Sequence, residues 1–209
     1  MPPLVKICGL STSATIDAAI GAGASHIGLV HFQPSPRHLS LPDAARLRQY
    51  IGSRARVVLL LVDPTPALLA DALTNVRPDI LQFHGDEAPE RLAEARRESG
   101  LEIWKAIGLK SRDTLQGAIR YQGAADLILY DAPAQALPGG NGTRFDWSLL
   151  RGHRHLINWG LAGGLTPNNI ADAIAQTGAP LVDVSSGVES APGVKDMDKI
   201  AALLKAARR

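Results

Sequence analysis

The sequence is poor in cysteine and has no long apolar run, and each shortage excludes a class of protein. One cysteine in 209 residues cannot build the disulfide framework of a small secreted domain. The longest apolar run, residues 57–62, is far shorter than the ~18 residues that a membrane-spanning helix needs. The N-terminal residues lack the basic segment and apolar stretch of a secretion signal. We therefore expect a protein of the reducing cytoplasm with no membrane partner.

The chain also lacks an excess of charge of either sign. Its 22 Lys and Arg residues offset 20 Asp and Glu residues, which leaves a formal net charge of +2. Nucleic-acid-binding proteins usually carry a strong basic excess, so we expect no nucleic-acid partner. The hydrophobic fraction of 45% is too high for intrinsic disorder. The length fits one large domain or two small ones.

Short apolar runs alternate with helix-like segments along the whole chain. Each apolar run has the length of a strand that is buried on both faces of a parallel sheet; the runs are Leu4–Cys8, His26–Val30, 57–62, Ile80–Phe83, 103–107, 127–130, 156–159 and 181–185. Helices are predicted between them at 15–22, 42–51, 66–73, 88–97, 112–121, 167–176 and 196–207, with a weaker one at 145–150. Eight such units predict an α/β fold, a parallel eight-stranded (β/α)8 barrel forming a single domain over residues 1–209. The rival fold is a doubly wound open sheet, but its nucleotide-binding fingerprints are absent.

Polar side chains and glycines crowd the carboxyl ends of the predicted strands, where parallel barrels carry their sites. Gly163 and Gly164 follow the seventh strand, and Ser185, Ser186 and Gly187 follow the eighth. Glycine lets backbone N–H groups approach an anion closely, so these two segments are candidate phosphate cradles. Each segment alone is more simply a turn, but barrels commonly bind phosphate after strands seven and eight.

Several titratable residues allow both a structural and a functional interpretation. Cys8 ends the first strand and is either a small core residue or a reactive thiol. Asp131 ends an apolar strand, where a carboxylate must be paired, protonated or active in catalysis. Asp183 poses the same problem, and an interior ion pair with Lys6 would resolve it. Lys6 lies two residues before Cys8, so these two side chains point to the same side of their strand. Arg37 lies in a proline-stiffened loop and is either a carboxylate ligand or a solvated surface residue.

The histidines and the lone cysteine show no metal-binding spacing. Neither His-Glu-x-x-His nor Cys-x-x-Cys occurs, so we expect no metal site. His26 and His38 look peripheral, whereas His31 and His84 are predicted to lie at the rim of the barrel.

Seven short motifs occur in order along the chain. The first two are Lys6-Ile7-Cys8-Gly9-Leu10 and Ser35-Pro36-Arg37. The other motifs are Gln82-Phe83-His84-Gly85, the region from Asp131-Ala132 through Gly139-Gly140-Asn141-Gly142 to Phe145-Asp146-Trp147, Leu161-Ala162-Gly163-Gly164-Leu165, Asp183-Val184-Ser185-Ser186-Gly187-Val188-Glu189, and Gly193-x-Lys195-Asp196. Together they resemble the phosphoribosylanthranilate isomerase family of tryptophan biosynthesis, the first motif resembling its opening signature and the second its loop after strand two. The chain departs from the family pattern at Asn141, where threonine is usual, and at His31, a position that is often aromatic.

The resemblance implies a reaction and a set of residues. The family converts N-(5-phosphoribosyl)anthranilate to 1-(2-carboxyphenylamino)-1-deoxyribulose 5-phosphate by an Amadori rearrangement, the third step from chorismate to tryptophan. By the family pattern Asp131 is the general acid and Cys8 the general base. Arg37 is implied to hold the anthranilate carboxylate, with Asp183, His84 and Gly142 as further substrate contacts. The phosphate ligands are implied to be Gly163, Gly164, Ser185, Ser186 and Gly187.

No cofactor is expected, because the substrate's own amine supplies the Schiff base. The partner is therefore a small molecule, and the chain is expected to be a monomer or a homodimer. Two alternatives stay open at this point. One is another phosphosugar aldose–ketose isomerase on the same barrel, and the other is a phosphate-ligand binder without catalysis. The unlike pair Cys8 and Asp131 and the absence of a half-length repeat argue against the first alternative, and the retention of both residues argues against the second.

Overall fold

A computed structural model describes residues 2–133 and 146–208, and within them eight parallel strands close into a barrel. Each strand pairs with the next, and the last pairs with the first. The strands are β1 (Leu4–Cys8), β2 (His26–Val30), β3 (Arg56–Leu61), β4 (Ile80–Phe83), β5 (Glu102–Gly108), β6 (Leu127–Asp131), β7 (Asn158–Leu161) and β8 (Leu181–Val184). The chain therefore has the predicted (β/α)8 architecture.

Seven α-helices surround the barrel in the described residues. They are α1 (Ser13–Ala22), α2 (Leu41–Ile51), α3 (Pro66–Asn75), α4 (Pro89–Ser99), α5 (Arg112–Gly117), α6 (Ile170–Thr177) and α7 (Met197–Ala206). Short 3₁₀ helices follow α5 at Ala118–Tyr121, precede β7 at Trp147–Leu150 and follow β8 at Ser186–Val188. Side chains of Thr12, Ser40 and Thr65 accept backbone hydrogen bonds at the first turns of α1, α2 and α3, which explains where these helices begin.

The strand register separates two packed regions. Along each strand, side chains point alternately out of the barrel and into it. The outward side chains pack against the helices in the main apolar core. A second cluster, which includes Val58, Trp104 and Leu129, fills the barrel interior. Lys6 lies opposite Asp183 and Cys8 lies opposite Gly28 in the strand pairing. The barrel interior thus becomes polar toward the carboxyl ends of β1 and β8, where the candidate site lies.

The structure corrects the sequence predictions at several places. Strand β7 covers Asn158–Leu161 rather than 156–159, because Leu156 is exposed while Gly160 and Leu161 are buried. The segment predicted as one helix over 112–121 is α5 followed by a 3₁₀ turn. His26, predicted to be peripheral, is buried, and its ring centroid lies 5.2 Å from that of Trp104.

A two-stranded hairpin that was not predicted follows β8. Its strands are β9 (Glu189–Ala191) and β10 (Val194–Lys195), and they pair antiparallel. The strands are too short for their residue pattern to stand out in the sequence. Because the hairpin follows the 3₁₀ turn after β8, it lies beside the carboxyl end of the barrel.

Candidate active site

A cavity of about 740 Å³, counting the space that is open to solvent, lies at the carboxyl ends of the strands. The structure brings most of the predicted site residues to this one cavity: Cys8, Arg37, His84, Asp131, Gly163, Gly164, Asp183, Ser185, Ser186 and Gly187. Gly142, predicted as a substrate contact, and Asn141 lie outside the described residues.

Cys8 ends β1 with its side chain in the interior of the barrel. The thiol is buried, and a Cβ at the neighbouring Gly28 would lie only 2.9 Å from its Sγ. Any larger residue at position 28 would therefore displace the thiol. Burial raises the pKa of Cys8, while the ammonium groups of Lys6 and Lys195 lower it and the Asp183 carboxylate raises it.

Asp131 ends β6 and is held from two sides. Its Oδ1 accepts a 2.7 Å hydrogen bond from the backbone N–H of Ala132, and its Oδ2 lies 3.3 Å from Nε2 of His84. The other ring nitrogen of His84, Nδ1, lies 3.3 Å from Nε2 of Gln82. Since Gln82 is buried inside the barrel, it fixes the imidazole that faces the Asp131 carboxylate.

Lys6 and Asp183 form the interior ion pair that the sequence allowed. Lys6 is 0% exposed, and its Nζ donates a 2.7 Å hydrogen bond to Oδ2 of Asp183. The other carboxylate oxygen, Oδ1, is buried and has no hydrogen-bond partner among the described residues. Burial raises the pKa of Asp183, and Lys6 opposes that rise.

Arg37 is not a solvated surface residue. Its guanidinium donates from Nε and from Nη2 to the two carboxylate oxygens of Glu189, each at 2.7 Å. Lys195 donates to Oε1 of the same carboxylate at 2.7 Å and to the backbone oxygen of Ser185 at 2.9 Å. Burial opposes the shift, but Arg37 and Lys195 hold the pKa of Glu189 below its ordinary value.

Two loops, after β7 and after β8, line the cavity with small residues. Gly163 and Gly164 have positive φ angles of 80° and 63°, which favour glycine. A Cβ at Gly187 would lie 1.8 Å from the backbone oxygen of Leu165, so the loops after β7 and β8 pack directly on each other. In the described part of the chain, the N–H groups of Gly163, Gly164, Ser186 and Gly187 find no protein acceptor. Such an arrangement suits an anion with several oxygens.

Sequence reasoning missed several residues of the site. Glu189 and Lys195 were quoted as parts of motifs, but nothing in the sequence pairs them with Arg37. Gln82 was likewise not identified as the support of His84. The Nδ1 of His31 lies 2.8 Å from the backbone oxygen of Leu39.

In residues 2–133 and 146–208, no group of three or more His, Cys, Asp or Glu side chains is placed to hold a metal ion. No helix over the same residues is both long enough and apolar enough to cross a membrane.

Comparisons with known proteins agree with the geometry. Residues 5–206 match the family model described as N-(5'phosphoribosyl)anthranilate (PRA) isomerase. The N-(5'-phosphoribosyl)anthranilate isomerase of Erythrobacter litoralis is 55% identical over 205 residues, which cover 98% of each chain. That of Beijerinckia indica is 50% identical and covers 100% of this chain and 96% of its own length.

Solved structures give the same result. A phosphoribosyl anthranilate isomerase in complex with reduced 1-(o-carboxyphenylamino)-1-deoxyribulose 5-phosphate superposes with a TM-score of 0.87 at 30% identity, covering 98% of both chains. The enzyme from Thermotoga maritima superposes with a TM-score of 0.87 at 32% identity, again covering 98% of both chains. The chain belongs to the N-(5'-phosphoribosyl)anthranilate isomerase family.

Proposed function

We propose that this chain isomerises N-(5'-phosphoribosyl)anthranilate with Asp131 as the general acid and Cys8 as the general base. The observation that carries the proposal is that both side chains face one cavity from separate strands, β6 and β1. An acid and a base on different walls can act on two atoms of one bound sugar without neutralising each other. Family membership supports the reaction, and the geometry supports the roles.

The proposed reaction has two proton-transfer stages. Asp131 first donates a proton to the ring oxygen of the furanose, the C1′–O bond breaks, and the anthranilate nitrogen forms a Schiff base with C1′. The Cys8 thiolate then removes the proton from C2′, which gives an enolamine. Protonation at C1′ and loss of the hydroxyl proton at C2′ convert the enolamine to the ketone. The substrate supplies the nitrogen, so no cofactor enters the scheme.

His84 and Ala132 prepare Asp131 for this task. The Ala132 N–H binds one carboxyl oxygen at 2.7 Å and Nε2 of His84 lies 3.3 Å from the other, so the orientation of the carboxyl group is fixed from two sides. Because the interior Gln82 holds the imidazole, His84 orients the acid and can contact the sugar hydroxyls. The proposal therefore treats His84 as both a substrate contact and a support of the acid.

The remaining polar walls of the cavity match the two ends of the substrate. Arg37, with its orientation fixed by Glu189, is assigned to the anthranilate carboxylate. The loops that contain Gly163, Gly164, Ser185, Ser186 and Gly187 are assigned to the phosphate, because they line the cavity and several of their backbone N–H groups have no acceptor among the described residues. The unpartnered Oδ1 of Asp183 is assigned to a substrate hydroxyl. A monomer or a homodimer in the cytoplasm remains our prediction.

The direct test is to incubate the purified chain with N-(5-phosphoribosyl)anthranilate and to follow the carbon NMR spectrum. The account predicts loss of the anomeric C1′ signal and growth of a C2′ ketone signal. A different aldose–ketose isomerase would leave this substrate unchanged but convert another phosphosugar. A binder without catalysis would shift the signals of the substrate without producing a ketone.

A further inference from the structure

A buried lysine at the base of the active-site cavity has no role in the scheme above. Lys6 precedes Cys8 on β1 by two residues, so both side chains point into the barrel. Lys6 is 0% exposed, and its ammonium is bound to only one oxygen of the Asp183 carboxylate. A buried ion pair of this kind is often no more stabilising than apolar residues of the same volume. Its presence beside the general base therefore suggests a function beyond holding the barrel together.

The packing brings the end of the Lys6 side chain and the Cys8 thiol to the same glycine of β2. A Cβ at Gly28 would lie 2.9 Å from Sγ of Cys8 and 3.0 Å from Cε of Lys6. The sulfur and the end of the lysine stem therefore converge on the same point of β2, where glycine leaves the space they occupy. This close approach of the two side chains is built into the strand pairing, because Cys8 lies directly opposite Gly28.

The charges that face Cys8 come from three strands. Lys6 on β1 and Lys195 on β10 lower the pKa of the thiol, whereas burial and Asp183 on β8 raise it. Lys6 stays protonated in this setting, because Asp183 and Cys8 together outweigh burial and raise the pKa of the amine. Asp131 and His84 face Asp183 from the other side of the cavity. The thiol therefore lies near two opposite charges. The Lys6 ammonium is on the same strand as Cys8, and the Asp183 carboxylate is on β8.

We propose that Lys6 acts through Cys8, with its buried ammonium stabilising the thiolate and Asp183 limiting how strongly it does so. In this step the Cys8 S–H bond breaks, the proton passes to water in the cavity, and Lys6 keeps its three protons. The thiolate then takes the C2′ proton of the sugar and returns to the thiol. Lys6 is thus a positioning residue for charge, and this inference rests on the proposed role of Cys8 as the base.

Because the chain has one cysteine, alkylation by iodoacetamide reports on Cys8 alone, and the thiolate absorbance does so once the titration of Cys8→Ala, which has the same tyrosines, is subtracted. We would titrate this absorbance, and the pH dependence of alkylation by iodoacetamide, in the free protein and in three variants. Lys6→Met is expected to raise the titration midpoint and to slow alkylation near neutral pH by at least ~10-fold, as a shift of one pKa unit produces. Asp183→Asn is expected to lower the midpoint, because the Cys8 thiolate then replaces Asp183 as the counter-ion that keeps Lys6 protonated. The exposed control Lys205→Met is expected to leave it unchanged.

The midpoint is expected to rise in Lys6→Met and to fall in Asp183→Asn, and these opposite shifts distinguish the proposal from a purely structural ion pair. If the pair only holds the barrel together, loss of either partner loosens the same contact, and the midpoint moves in one direction or not at all. That result would overturn the proposal. If Lys6→Met does not fold, Asp183→Asn decides the matter, because an unchanged or raised midpoint is then sufficient to reject it.

The titration uses no substrate, so its outcome is independent of the proposed reaction. A Cys8→Ala variant that still turns over the substrate would refute the base assignment and leave the charge coupling intact. Conversely, a normal loss of activity in Cys8→Ala with no effect of Lys6→Met on the midpoint would refute only the coupling. In active variants, the ascending limb of kcat/KM against pH is expected to move with the midpoint.

Discussion

Arg37 and Glu189 lie 152 residues apart in the sequence, and their side chains meet in a two-point hydrogen-bonded pair. The Nε–Oε1 and Nη2–Oε2 distances are both 2.7 Å, and the two side chains are 9% and 4% exposed. A planar guanidinium held at two points cannot rotate freely, so its direction in the cavity is set by Glu189. The same carboxylate accepts from Lys195, which links Arg37 to the hairpin β9–β10.

Loss of this pair is expected to weaken substrate binding more than turnover. Glu189→Gln and Arg37→Ala are each predicted to raise KM by ~10- to 100-fold, the effect of losing one charge-assisted hydrogen bond or misdirecting it. The double variant is expected to be little worse than either single one, because both remove the same contact. Steady-state kinetics check this, with the exposed Glu98→Gln as control. If the increases in KM of the two single variants multiply in the double variant, or if KM is unchanged in Arg37→Ala, the pair does not act together in substrate binding.

The loops after β7 and β8 are expected to bind inorganic phosphate, which should therefore inhibit turnover in competition with the substrate. Gly187→Ala forces a Cβ to within 1.8 Å of the Leu165 backbone oxygen unless the two loops separate. Misplacing the backbone donors is predicted to raise the inhibition constant of phosphate by ~10-fold or more. Gly21→Ala is the matched control, since a Cβ there meets no atom within 4 Å. Equal inhibition of wild type and Gly187→Ala would place the phosphate elsewhere.

The pH dependence of the reaction is expected to follow the buried thiol. Burial raises the pKa of Cys8, and the base acts as the thiolate, so kcat/KM should increase with pH through the neutral range. The rise is predicted to continue beyond the ordinary thiol pKa of about 8.5. A pH profile of kcat/KM tests this prediction, and a plateau reached already in the acidic range would show that another group is the base.

Folding stability is expected to fall in mild acid because of two histidines, the buried His26 and the half-buried His155. Burial lowers the pKa of both His26 and His155 from 6.5 to about 4, so the unfolded chain binds more protons between those values. The stabilisation is complete above pH ~6.5 and is lost as the pH falls toward ~4, by up to ~3 kcal/mol for His26. His26→Phe keeps the contact with Trp104 and removes the titration. Urea unfolding at a series of pH values should show a smaller loss in this variant, and an identical loss would contradict the account.

Most of the barrel could be predicted from the sequence because each strand is a short apolar run bounded by polar residues. Leu4–Cys8, His26–Val30 and Ile80–Phe83 have the predicted bounds. Strand β7 does not, because an exposed Leu156 extends the apolar run beyond the paired residues. Hydrophobicity alone could not show that Leu156 faces solvent, since burial depends on neighbours that are distant in sequence.

The candidate site could be located from the strand ends, but its internal contacts could not. Parallel strands place their carboxyl ends at one edge, which is why Cys8, Asp131 and Ser185 meet at one cavity. The pairing of Arg37 with Glu189 depends on where a short hairpin packs, and no local pattern reports that. The support of His84 by Gln82 was also missed, because an interior glutamine in an apolar strand has no distinctive spacing.

Turnover of purified variants tests most directly whether Asp131 is the general acid and Cys8 the general base. Steady-state assays with N-(5-phosphoribosyl)anthranilate would compare Asp131→Asn and Cys8→Ala with the exposed control Asp71→Asn. The account predicts that kcat falls by at least ~100-fold in each site variant and stays unchanged in the control. Wild-type turnover in folded Asp131→Asn or Cys8→Ala would contradict the corresponding assignment.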